Sequence, residues 1–71
     1  MPRNRHKPGD YVVIIGGIFD DMLAQVREHS GDPAMVLATF TAPERYKKAG
    51  YEAGDEVQVY MHFSRFRAYV D

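Results

Sequence analysis

The sequence predicts a mainly β protein, a small and partly open barrel of five short strands with a short helical insertion. Three observations carry that expectation. Val57, Val59, Met61 and Phe63 alternate with Gln58, Tyr60 and His62, the period-two pattern of a half-buried strand. The run Tyr11-Val12-Val13-Ile14-Ile15 is β-branched, too short for a stable helix, and closed by Gly16-Gly17, which reads as a buried strand. With 71 residues the chain is one domain with a modest core, so a five-stranded antiparallel meander buries its apolar face only by curling on itself.

The elements follow in order. Lys7-Pro8-Gly9-Asp10 is a turn, because Pro fixes one φ and Gly-Asp tolerates the reversal. The first strand follows it. Leu23 to His29 alternates, with Ala24 and Val26 inward and Gln25 and Arg27 outward, until Ser30-Gly31-Asp32-Pro33 breaks it. A helix over Phe19 to His29, capped by Asp20, is the competing reading of that stretch. Ala34 to Phe40 is a third apolar run between Pro33 and Pro43. Thr41 with Glu44 has capping-box spacing, and Gly50 after Lys47-Lys48-Ala49 is a natural stop, so two helical turns are expected near residues 42–49. Ser64-Arg65 reads as a tight turn, with a short last strand from Arg67 to Val70. Residues 1–9 read as a flexible basic arm, and 10–71 as a single domain with an insertion at about 41–55.

Composition excludes several classes of function. The chain contains no Cys, which removes disulfide staples, thiolate zinc sites and cysteine nucleophiles. No apolar run approaches the roughly 20 residues needed to cross a bilayer, and Met-Pro-Arg-Asn-Arg-His-Lys has no apolar segment of a signal peptide. A soluble protein in a reducing, cytoplasmic setting, without membrane partners, is expected. Net charge is -1, but residues 1–9 hold Arg3, Arg5 and Lys7 and no acid, leaving six bases against ten acids beyond them. Such an arm could reach a phosphate backbone, although short charged termini are more often simply solvated. The acidic body is no groove for a generic duplex.

Residues 8–29 resemble the KOW motif, most nearly as it occurs in the carboxy-terminal domain of NusG-type transcription elongation factors. The matched features are the Gly9-Asp10 turn, the hydrophobic strand ending at Gly17, the loop Ile18-Phe19-Asp20-Asp21-Met22, and Ala24 and Val26 opening the next strand. Ala24 stands where the family has Gly. Val57 to Arg65 resembles that family's strand and its Phe-Gly-Arg turn, with Ser64 at the Gly position. The resemblance spans about half the chain, the segment Ser30 to Glu56 is longer than the family's connection, and the family's polymerase-gripping amino-terminal domain has no counterpart in the sequence. It implies an SH3-like barrel, without cofactor or small-molecule substrate, that binds RNA or a protein partner in transcription or translation.

Enzymatic constellations are thin. His6, His29 and His62 form no metal-binding pair and sit beside no promising nucleophile, and Asp20-Asp21 offers too few oxygens for a hard cation. Neither a catalytic site nor a metal site is expected. By the resemblance, Ile18, Phe19 and Met22 form an exposed apolar tip, Asp20 and Asp21 orient a partner, and Arg65 and Phe66 lie nearby. Aromatic anchors of this kind dominate interface energies. The alternative is that Phe19 folds back to close one end of the barrel. Arg3, Arg5, Lys7 and Arg67 are the candidate nucleic-acid contacts. Tyr46 and Tyr51 around Lys47-Lys48 suit base stacking, or the packing of the insertion onto the barrel. Two other classes remain open: a structural subunit of a phage particle or other complex, and a small enzyme whose site forms at a symmetry axis.

Overall fold

The five strands lie in one antiparallel sheet in the order β4-β3-β2-β1-β5. They are β1 (Tyr11–Ile14), β2 (Leu23–Arg27), β3 (Met35–Thr41), β4 (Glu56–His62) and β5 (Phe66–Ala68). The structure is a computed structural model and describes residues 4–70. β1 to β4 form a meander, and β5 returns to the free side of β1, so β4 and β5 are the two edges and the sheet is not closed. No helix is long and apolar enough to cross a membrane among the described residues.

Alternation decides which residues are buried. Along β4, Val57 and Val59 are buried while Gln58, Tyr60 and His62 face solvent. The register sets Val59 against Ala38, Ala38 against Val26, and Ala24 against Val12. These side chains join Ile14, Val36, Phe40 and Phe66 in one core on the inner face. Each Val, Ile or Phe side chain so buried contributes about 1.5–3 kcal/mol, and each Ala less. The outer face carries Tyr11, Gln25 and Gln58. Thr39, also on that face, is buried and accepts a hydrogen bond from Arg27 Nε at 3.0 Å.

Three sequence expectations change in detail. The strand expected from Leu23 forms in place of the competing helix, but β2 ends at Arg27 instead of His29. The His29 ring is used to close the turn into β3: Nδ1 accepts from Gly31 N–H at 3.0 Å, and Nε2 lies 2.9 Å from the Met35 carbonyl oxygen. The capping box does not form. Thr41 is held extended opposite Glu56 as the last residue of β3, and Pro43 takes the cap position of a 3-10 helix, Glu44–Ala49, with no side-chain cap. Bonds from Ala42 N–H to the Asp55 carbonyl (2.8 Å) and from Gly54 N–H to the Ala42 carbonyl (2.9 Å) extend the β3–β4 ladder past Thr41. Finally, the turn after β4 is itself 3-10, Phe63–Arg65, and β5 spans Phe66–Ala68 instead of Arg67 to Val70.

Candidate binding site

The rim at one end of the sheet is built by the β1–β2 loop and the 3-10 turn before β5. Gly16 and Gly17 both adopt positive φ, +78° and +75°, a region that side chains with a Cβ enter at a cost. Their lack of a side chain has a second use. Arg65 lays its guanidinium over them, with Nη2 3.4 and 3.3 Å from where a Cβ on Gly16 or Gly17 would stand. The loop is bonded throughout. Asp20 Oδ1 accepts from Gly16 N–H at 2.6 Å, Asp21 N–H donates to the Ile14 carbonyl at 2.7 Å, and Ile14 N–H donates to the Met22 carbonyl at 2.9 Å. Asp21 itself sits at φ +69°, which a short polar side chain tolerates.

The expected apolar tip is only partly present. Ile18 is 67% exposed. Phe19 instead packs inward, edge-on to Phe40, Tyr46 and Tyr51 with ring centroids 5.1, 5.2 and 5.7 Å away. Met22 also packs against the core. Phe66, expected at the rim, is buried at the start of β5. The cause is phase: Phe66 pairs with Ile14, which points into the core, while Arg67 pairs with Val13. Tyr46 is buried too and faces Phe19, so it packs the insertion onto the sheet instead of offering a stacking surface. What remains exposed at the rim is Ile18 among Asp20, Asp21, Arg65 and Arg67. Arg67 Nη2 pairs with Asp21 Oδ1 at 3.0 Å, both largely exposed. Asp20 and Arg65 are instead each bonded to backbone, to Gly16 N–H and the Ile15 carbonyl, so the two acids and two bases of the rim are all engaged.

Of the other predicted nucleic-acid contacts, Arg3 lies outside the described residues, and Arg5 and Lys7 are exposed. Residues around them are bonded to the sheet. Asn4 Nδ2 donates to the Pro33 carbonyl at 3.0 Å, His6 N–H donates to Asn4 Oδ1 at 3.0 Å, and Gly9 N–H donates to the Val26 carbonyl at 2.8 Å. This seats the segment against the ends of β2 and β3 and opens a pocket of about 570 Å³ beside β5, lined by Arg5, His6, Asp10, Tyr11, Phe63 and Tyr69 among others. Tyr11 and Tyr69 were not singled out from the sequence. The readable signal was the alternation Phe66-Arg67-Ala68-Tyr69, which sets Tyr69 on the face opposite to Phe66. Among the described residues no three His, Asp or Glu side chains gather as a metal ion would require. No family model matches the chain, and no curated protein or solved structure matches it significantly.

Proposed function

We propose that the chain is a non-catalytic binding module of SH3-like, KOW type that holds a protein partner at the rim around Ile18, in transcription or translation. The observation that carries the reading is the exposure of Ile18 at the tip of a loop whose backbone is fixed on both sides. A large apolar side chain on a rigid support binds at a reduced ordering cost, and exposed apolar groups rimmed by charge mark interaction sites. At the rim Arg67 is paired with Asp21 and Arg65 is bonded to the Ile15 carbonyl, so both cations are already engaged, which favours a protein over a phosphate backbone. The order β4-β3-β2-β1-β5 and the 3-10 turn leading into the last strand support the SH3-like reading, and the resemblance of residues 8–29 supports the KOW one.

A photoreactive phenylalanine analogue at position 18, compared with one at Ser30 at the other end of β2, tests this in cells that make the protein. The expected result is a crosslinked protein captured from position 18 and not from position 30, and lost when Arg65→Glu is added to a chain that still folds. Identical captures from the two positions overturn the reading.

A further inference from the structure

We infer that the pocket beside Tyr11 and Tyr69 binds an unpaired base and its phosphate in single-stranded RNA. This site is separate from the rim around Ile18 and goes beyond the function proposed there. Its walls are rich in rings. Tyr69 N–H donates to the Tyr11 carbonyl at 3.1 Å, which sets Tyr69, the residue after β5, opposite Tyr11 at the start of β1. They are 54% and 47% exposed, and neither ring packs on another aromatic ring or under a cation among the described residues. His6 and Phe63 line the same pocket, and the His6 ring is set edge-on to Phe66 with centroids 6.3 Å apart. Open aromatic faces accept any base by stacking, provided the base is not already stacked in a duplex.

The charges select the rest of the ligand. Arg5 lines the pocket between two anchored neighbours, Asn4 and His6. A flat ring beside a cation calls for a base with an attached phosphate. Asp10 is the acid in the wall, and it distinguishes RNA from DNA. Its Oδ2 accepts from Lys7 N–H at 3.0 Å, while its Oδ1 accepts no hydrogen bond among the described residues. A carboxylate oxygen facing an anionic ligand is repulsive unless the ligand offers a donor there, and the ribose 2′-hydroxyl is such a donor where deoxyribose has none.

The test uses fluorescence anisotropy with an octamer of uridylate and its deoxythymidylate counterpart. Uridylate should bind, and Tyr11→Ala or Tyr69→Ala should each weaken it about tenfold, as loss of one stacking platform does, while Tyr11→Phe and Tyr69→Phe preserve binding. Arg5→Ala should lower the slope of log affinity against log salt by about 0.7, the share of one phosphate on a single strand. The DNA octamer should bind several-fold more weakly, and Asp10→Asn should shrink that gap. Ile18→Ser should leave RNA affinity unchanged, which keeps this result separate from the fate of the rim. Because both tyrosines are exposed, thermal melting of each variant confirms folding. Absence of uridylate binding, or alanine variants that bind as well as the parent, overturns the site. Equal affinity for the two octamers overturns the choice of RNA.

Discussion

Ile15 and Arg65, fifty positions apart, exchange two hydrogen bonds: Ile15 N–H donates to the Arg65 carbonyl at 2.7 Å, and Arg65 Nε donates back to the Ile15 carbonyl at 2.9 Å. The same guanidinium covers Gly16 and Gly17. One side chain therefore ties the end of β1 to the turn before β5 and depends on the two glycines for its place.

This geometry makes a double-mutant cycle informative. Gly17→Ala should cost about 1–2 kcal/mol in urea unfolding, because a Cβ is unfavourable at positive φ, and more if Arg65 cannot withdraw. Arg65→Ala, an exposed charge-assisted bond, should cost about 1 kcal/mol. If contact between the two adds to the glycine penalty, Gly17→Ala costs less in the Arg65→Ala background. Strict additivity would show that φ alone sets the penalty.

Phe19 and Ile18 are neighbours with opposite roles. Phe19→Ala removes three edge-to-face contacts and should lower stability by about 3 kcal/mol. Ile18→Ser, at an exposed position, should change it by less than about 0.5 kcal/mol. Equal losses in chemical denaturation would contradict the placement of the two side chains.

Only some of this was legible in the sequence. The β4 alternation is local, so Val57 to Met61 announced both the strand and its inner face, while Phe63 falls in the 3-10 turn beyond it. Gly16-Gly17 likewise announced where β1 stops, because the break is written in the residues themselves. Phe19 was ambiguous because its partners Phe40, Tyr46 and Tyr51 lie on distant segments, and no local period reports them. Thr41-Ala42-Pro43-Glu44 misled for the converse reason: the local capping signal was genuine, but the pairing of Thr41 with Glu56 prevailed. The pocket was invisible because it exists only once β5 lies beside β1 and the segment from Asn4 is seated.

Asp21 separates a backbone cost from an ion pair. Asp21→Ala and Asp21→Gly both remove the 3.0 Å bridge to Arg67, which at this exposure is worth at most about 0.5 kcal/mol. Only alanine also carries the left-handed penalty of roughly 1–2 kcal/mol. Alanine should therefore be the less stable variant by about 1 kcal/mol in equilibrium unfolding. Equal stability of the two would place the position outside the left-handed region.

The core should respond as the register demands. Ile14→Ala and Val59→Ala, both on the inner face, should each lose about 2–4 kcal/mol, with Ile14 the more costly as the larger and more deeply buried. The control is Gln58→Ala on the outer face, expected within about 0.5 kcal/mol by thermal or urea denaturation.

The pairing of β1 with β5 sets an order of events during folding. The meander closes through short connections, whereas Ile14 finds Phe66 only across most of the chain, and the entropy of closing a loop grows with its length. Both the rim, where Arg65 meets Ile15, and the pocket, where Tyr69 meets Tyr11, straddle that last seam. A chain that has collapsed but not sealed would therefore present neither surface. Amide exchange would record it: the Ile15 and Tyr69 protons should gain protection in the same final kinetic phase, after those of β2 and β3.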